Sequence, residues 1–112
     1  MYYVYIVQCS DGSYYTGITT DVAKRMKEHV YHLPGCAKYT RSHQVTSLQA
    51  LWSCSTRSDA SRLEYLIKSL PRSKKQQLIS VPADLGNLFP DRLDSGHYFY
   101  VSTTLESLLN NE

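Results

Sequence analysis

Two β-forming runs near the start of the chain constrain the fold most strongly. Residues 2–8 and 14–18 are rich in tyrosine, valine and isoleucine, which favour strands. Between them, residues 10–12 read Ser-Asp-Gly, the composition of a tight turn. The sequence therefore predicts an antiparallel hairpin.

The length of the turn decides which side chains of the hairpin meet. A two-residue loop would place Tyr5 and Tyr15 on opposite faces, because side chains alternate along a strand. A three-residue loop with Gly12 in the left-handed conformation sets Tyr5 opposite Gly17 and Tyr15 opposite Val7, all on one face. We favour this second register because it gives one sheet face a uniformly apolar core and leaves the other face with converging phenol groups. Gly17, which has no side chain, also leaves room for the Tyr5 ring.

The hairpin resembles the signature of the GIY-YIG nuclease superfamily. Residues 3–5, Tyr-Val-Tyr, stand where that family has Gly-Ile-Tyr, and residues 15–17, Tyr-Thr-Gly, stand where it has Tyr-Ile-Gly. The departures fall on strand positions whose backbone matters more than the side chain. Arg25 and His29 follow at the offsets where the family has an arginine and often a histidine or a tyrosine. The resemblance covers residues 2 to about 80 and is closest to the small stand-alone members.

A helix is predicted after the hairpin, over residues 21–31 with Thr20 as its N-cap. Its apolar positions form one stripe, and Arg25 and His29 lie together at the edge of that stripe. From the residues alone, the simpler interpretation is that Arg25 is a surface cation and His29 a partly buried core histidine. The resemblance instead implies that both belong to a catalytic site. The apolar stripe consists of Val22, Met26, Val30 and Leu33.

Residues 37–41 read as a basic loop with one aromatic residue, Tyr39, which could stack on a base or cover the core. Residues 44–54 are consistent with a third strand. Ser58 is a candidate cap for a helix over residues 59–70, and Pro71 precedes a lysine-rich helix over residues 72–79.

Glu64 is the carboxylate on the predicted helix over residues 59–70 that lies at the boundary of the buried face. An ion pair with Arg62 or with Lys68, four residues on, is the simplest explanation for it. In the resembled family a single glutamate on this helix is the metal ligand. The resemblance therefore implies that Glu64 binds one Mg²⁺ or Mn²⁺ ion.

Composition indicates one domain and an intracellular protein. The chain has 112 residues, no apolar run of membrane-spanning length, and three scattered cysteines without the paired spacing of a zinc site. The charge is uneven: residues 1–80 carry +6 (eleven basic, five acidic) and residues 81–112 carry −4 (one basic, five acidic). Basic clusters support nucleic-acid binding only together with other signals. The candidate contacts are Lys24, Lys38, Tyr39, Arg41, Lys68, Arg72, Lys74 and Lys75.

The expected architecture is an α/β (α+β) domain over residues 1–80, with a three-stranded, mainly antiparallel sheet flanked by helices. Residues 81–112 form a C-terminal extension. Residues 97–102 read as a strand and residues 104–110 as an amphipathic helix, so the extension is expected to pack on the domain.

The function implied by the resemblance is metal-dependent hydrolysis of DNA. Tyr5 would be the general base, with its pKa lowered by Arg25 and the metal, and His29 would take or orient its proton. Tyr15 would position water, Arg25 a phosphate oxygen, and Glu64 the ion. One alternative is a protein that binds branched or single-stranded nucleic acid without cleaving it. Another is a protein-interaction subunit with a purely structural sheet.

Overall fold

A computed structural model describes residues 1–110 as a four-stranded sheet with helices on both faces. The strand order is β2-β1-β3-β4, and every neighbouring pair is antiparallel. The strands are β1 (Tyr2–Cys9), β2 (Tyr14–Thr19), β3 (Val45–Cys54) and β4 (Phe99–Tyr100). The helices are α1 (Val22–Tyr31), α2 (Lys38–Ser42), α3 (Arg57–Lys68), α4 (Arg72–Ser80), α5 (Leu85–Leu88) and α6 (Leu105–Leu109).

The hairpin of β1 and β2 has the predicted three-residue loop. Gly12 has a φ of 85°, in the left-handed region that glycine adopts without strain. The Cys9 amide donates to the Ser13 carbonyl at 2.9 Å, and the Asp11 carboxylate accepts from the Ser13 amide at 3.0 Å. The turn thereby sets the register of the two strands, with Tyr5 opposite Gly17.

A fourth strand corrects the three-stranded expectation. Strand β4 comes from the C-terminal extension and pairs with β3, so that Phe99 lies opposite Ser53 and Tyr100 opposite Trp52. The extension therefore packs on the domain as an added strand. The apolar run is only partly covered, because Tyr98 is buried whereas the Phe99 side chain is 64% exposed.

Both faces of the sheet carry apolar clusters, so the phenol-bearing face is not left open. On one face, α3 and residues of the extension cover Val4 and Ile6. On the other, α1 and α6 cover Tyr5 and Val7. The second cluster lies where the hairpin pattern predicted only converging phenols. The extension supplies part of its cover, since Leu105 of α6 is buried there.

Two predicted helix caps were wrong because a side chain one or two positions away makes the capping hydrogen bond. Helix α1 is capped by Asp21, not Thr20, since the Asp21 carboxylate accepts from the Lys24 amide at 3.1 Å. Helix α3 is capped by Thr56 rather than Ser58.

Two further predictions after α1 were wrong. The segment expected to be a basic loop contains helix α2. Leu33 is exposed and does not belong to the apolar stripe of α1.

No helix within residues 1–110 is long and apolar enough to cross a membrane.

Candidate active site

The hairpin places two tyrosines of the motif beside each other. The ring centroids of Tyr5 and Tyr15 are 6.4 Å apart, and the Tyr5 side chain is fully buried. Gly17 is required opposite Tyr5, because a Cβ at this position would lie 2.7 Å from Tyr5 Cζ. The contact explains the glycine of the motif as a packing requirement.

Helix α1 brings His29 and Arg25 to the Tyr5 hydroxyl. His29 is buried, with Nε2 2.7 Å from the Tyr5 oxygen. Arg25, one turn earlier on the same face, donates from Nε to that oxygen over a long 3.4 Å. His29 thus lies inside the core rather than at the edge of the stripe. The predicted cluster of Tyr5, Arg25 and His29 is a set of direct contacts in the structure.

Burial controls the protonation of this pair. It raises the pKa of the Tyr5 hydroxyl well above its usual value, and the favourable contacts with Arg25 do not cancel that effect. Burial, helped by the positive charge of Arg25, lowers the pKa of His29 to about 4. In the protein alone, both groups are therefore neutral at pH 7. Arg25 alone does not bring the Tyr5 pKa below its usual value, because desolvation outweighs the arginine. The expected lowering by Arg25 together with a metal ion stays a prediction.

The Arg25 guanidinium is anchored on the side away from Tyr5. Its Nη1 donates to Glu28 Oε1 at 2.9 Å and to the Gly35 carbonyl at 2.6 Å. The Arg25 side chain is 21% exposed, so it is held in place while still reachable from solvent. The sequence analysis missed Glu28, although a glutamate three residues after an arginine in a helix is a recognisable pairing signal.

Tyr15 is partly exposed and lies at the rim of the cluster. Its ring stacks on Tyr39, which in turn stacks on His43 with centroids 4.0 Å apart. Tyr39 is packed against the apolar cluster, as expected if it covers the core. Within residues 1–110 no hydrogen bond to the Tyr15 hydroxyl is found, so this hydroxyl can contact water or a ligand.

Glu64 approaches the cluster from α3, the helix on the other face of the sheet. Its carboxylate pairs with Lys68 Nζ at 3.5 Å, and Lys68 also lies 5.9 Å from the centre of the Tyr15 ring. The carboxylate is close enough to Tyr5 to add to the rise in its pKa. Its side chain is 25% exposed, so it can be reached from outside.

Glu64 suits a loosely held magnesium or manganese ion better than a closed metal site. No group of three or more histidine, cysteine, aspartate or glutamate side chains able to hold a metal occurs in the described part of the chain. Mg²⁺ commonly binds through one or two carboxylates and completes its shell with water and substrate phosphates. A single accessible carboxylate, paired here with Lys68, fits that pattern.

Some of the basic residues expected to bind nucleic acid lie near the candidate active site, and the others lie on helices away from it. Lys24 lines a groove together with Arg25 and Arg57, with a volume of about 500 Å³. Lys68 lies beside Tyr15, and Arg72 lies over the ring of Tyr14 with 4.6 Å between the guanidinium carbon and the ring centre. The others lie on α2 and α4, and within residues 1–110 no side-chain hydrogen bond or ion pair joins them to Tyr5, Arg25 or His29. These are Lys38, Arg41, Lys74 and Lys75.

Thr40 is a buried part of the cluster that the sequence analysis missed. Its hydroxyl lies 2.7 Å from His29 Nδ1 and donates to the Ala37 carbonyl at 3.1 Å. Thr40 is eleven residues beyond His29, in a segment expected to be a loop. No periodicity in the sequence links the two positions.

Comparisons with known proteins identify relatives of this chain. The family model for the GIY-YIG catalytic domain matches residues 1–77. A UPF0213 protein of Halalkalibacterium halodurans is 48% identical over 80 residues, which are 71% of this chain and 83% of that protein. A UPF0213 protein of Halobacterium salinarum is 46% identical over 78 residues, covering 70% of this chain and 99% of that protein. An NMR structure of a UPF0213 protein from Bacillus halodurans shares 46% identity, covers 72% of this chain and 85% of that one, and has a TM-score of 0.46.

Proposed function

Because this chain belongs to the GIY-YIG family, we propose that it is an endonuclease that hydrolyses phosphodiester bonds of DNA with the help of a divalent metal ion. The observation that carries the proposal is the buried 2.7 Å contact between Tyr5 and His29, with the Arg25 guanidinium beside it. A proton acceptor and a fixed positive charge are what hydrolysis of a phosphodiester requires.

The proton route uses Tyr5 and His29 as a pair. A phenol with a raised pKa is a poor base by itself, so Tyr5 accepts a proton from water while its own proton passes to His29 Nε2. His29 is neutral at pH 7, so the lone pair on Nε2 is available to receive that proton. Tyr5 never has to exist as an isolated phenolate. In this role it remains the group that activates water.

Arg25 connects substrate binding to this route. Its guanidinium carries a permanent charge and can hold a non-bridging phosphate oxygen. The long contact from Nε to the Tyr5 hydroxyl is the weakest of its hydrogen bonds. A phosphate bound to the guanidinium would compete with this long contact, and loss of the contact would let water reach the buried Tyr5 hydroxyl.

Glu64 would hold the metal ion, and Tyr15 would position water at the rim. Once bound, the ion would stabilise negative charge on the leaving oxygen and help orient the phosphate. Glu64 faces solvent on the side of the cluster where Lys68 and Tyr15 lie. The DNA backbone would run past Lys24 and Lys68, while the exposed cations of α2 and α4 would add attraction at longer range.

The decisive experiment incubates the full chain with plain, nicked, flapped and branched duplexes, with Mg²⁺, with Mn²⁺ or with a chelator. We expect metal-dependent cleavage that Tyr5→Phe reduces by about a hundredfold or more. Tyr65→Phe is the matched control, because Tyr65 is 66% exposed on α3 and lies outside the cluster. Salt-sensitive binding without cleavage of any substrate would support the non-cleaving alternative. Absence of both would leave the protein-interaction role.

A further inference from the structure

Helix α2 places the Thr40 hydroxyl 2.7 Å from His29 Nδ1. Thr40 lies in the first turn of α2, and its hydroxyl bonds to the carbonyl of Ala37, three residues earlier. This backbone bond is common for threonine in helices and fixes the direction of the hydroxyl group. Both Thr40 and His29 are fully buried, so no water competes for the contact between them.

The number of hydrogens on each group decides which group donates in the hydrogen bonds that link Ala37, Thr40, His29 and Tyr5. A hydroxyl has one hydrogen, and Thr40 gives it to the Ala37 carbonyl, which can only accept. The Thr40 oxygen therefore accepts from His29 Nδ1, which must carry the ring hydrogen. His29 Nε2 is then unprotonated, and the Tyr5 hydroxyl donates to it.

The opposite assignment leaves a hydrogen without a partner. If His29 carried its hydrogen on Nε2, it would donate to the Tyr5 oxygen. The other neighbour of that oxygen is Arg25, which is only a donor. The buried Tyr5 hydrogen would then have no acceptor, and buried polar groups without partners are rare in native proteins.

We propose that Thr40 is a positioning residue that holds His29 in the tautomer protonated on Nδ1, so that Nε2 can take the Tyr5 proton. The proposal deepens the proposed nuclease function and rests on it for its catalytic meaning. In the step itself, a water O–H bond breaks and its proton joins the Tyr5 oxygen. The Tyr5 O–H bond breaks in turn, and that proton joins His29 Nε2.

The hydroxide formed in this step attacks phosphorus, and the bond to the leaving oxygen breaks. The leaving oxygen takes a proton from solvent, and His29 later returns one to solvent, so no proton is gained or lost overall. Throughout the step the Nδ1 hydrogen stays on His29 and donates to the Thr40 oxygen. Thr40 thereby acts through His29 and touches neither substrate nor metal.

The tautomer can be measured without any substrate. In protein labelled with ¹⁵N-histidine, the two ring nitrogens of His29 have distinct chemical shifts that report which one is protonated. We expect protonated Nδ1 and bare Nε2 in the wild-type protein and in Thr40→Ser. Thr40→Val keeps the shape of the side chain but removes the hydroxyl, and we expect it to lose this preference. Protonated Nε2 in the wild-type protein would overturn the proposal, whether or not Thr40→Val folds.

Cleavage assays supply the second readout. Thr40→Val should lower the cleavage rate by about tenfold to a hundredfold, a part of what a general base contributes, and Thr40→Ser should restore it. Thr46→Val is the control, because the Thr46 hydroxyl donates to the Gln8 carbonyl rather than to His29. A folded Thr40→Val protein with the wild-type tautomer and rate would overturn the proposal. The expected tautomer in a protein that cleaves nothing would contradict the nuclease function and leave the Thr40 contact standing.

Discussion

Gly17→Ala tests whether the packing of Tyr5 sets the geometry of the site. The added Cβ would lie 2.7 Å from Tyr5 Cζ, whereas carbon atoms normally approach to about 3.5 Å. The ring must therefore move by about 0.8 Å, the difference between these two distances. A shift of that size takes the 2.7 Å contact between Tyr5 and His29 beyond ordinary hydrogen-bond length.

The expected cost follows from overpacking a filled core. It is about 1–3 kcal/mol, which lowers the melting temperature of a domain of this size by roughly 5–15 °C. Cleavage should fall by about a hundredfold, because misplacing a catalytic group by around 1 Å has that effect. Thermal melting and a nicking assay measure the two losses. Gly86→Ala is the control, since its Cβ would meet the Ser95 side chain, with Oγ at 3.3 Å and Cβ at 3.6 Å, and not the site. An unchanged melting temperature and cleavage rate in Gly17→Ala would refute the packing argument.

Four further outcomes are expected. Glu64→Gln should abolish metal-dependent cleavage while melting and DNA binding stay near wild type, and undiminished cleavage would remove the metal-ligand assignment. Tyr15→Phe should cost less activity than Tyr5→Phe in the same nicking assay; the reverse order would move the water-activating role to Tyr15. His29 has a pKa of about 4 when folded and about 6.5 when unfolded, so the unfolded chain binds more protons between these values. As the pH falls from 6.5 to 4, the free energy of unfolding of the wild-type protein should therefore drop by up to roughly 3 kcal/mol more than that of His29→Gln, as measured by urea denaturation. Equal drops in the two proteins would contradict burial of a neutral histidine. Deleting residues from 84 onward removes four buried apolar side chains, whose burial contributes about 6–12 kcal/mol to folding, and should give insoluble protein. A soluble deletion variant with an unchanged melting temperature would show that the extension is dispensable.

The relative from Halobacterium salinarum bears on that last outcome. Its 78 matched residues are 99% of its length, so that protein has almost nothing beyond the matched domain. In the present chain Leu105 of the extension is buried against the cluster that contains Tyr5 and Met26. The extension therefore covers apolar surface next to the site in this chain.

The sequence by itself determined the hairpin and the spacing of the motif residues in the hairpin and in helix α1. Local chemistry sets the turn, because Gly12 adopts the left-handed conformation and the Asp11 carboxylate accepts the Ser13 amide. Once the turn is set, alternation along the strands places Tyr5 and Gly17 opposite each other without further information. The spacing of Arg25 and His29 follows from the helical period in the same way.

Tertiary structure alone decided how deeply the site is buried. The low pKa of His29 depends on the cover of neighbouring residues, and Thr40 meets His29 only because the chain folds back through α2. The fourth strand and the side chain of Leu105, which packs in the same cluster as Met26, likewise come from residues far along the chain. Such contacts join residues of large sequence separation, which leave no periodic signal. Their free energy depends on burial and hydrogen bonding in the folded chain, so they could not be predicted from the sequence of any one segment.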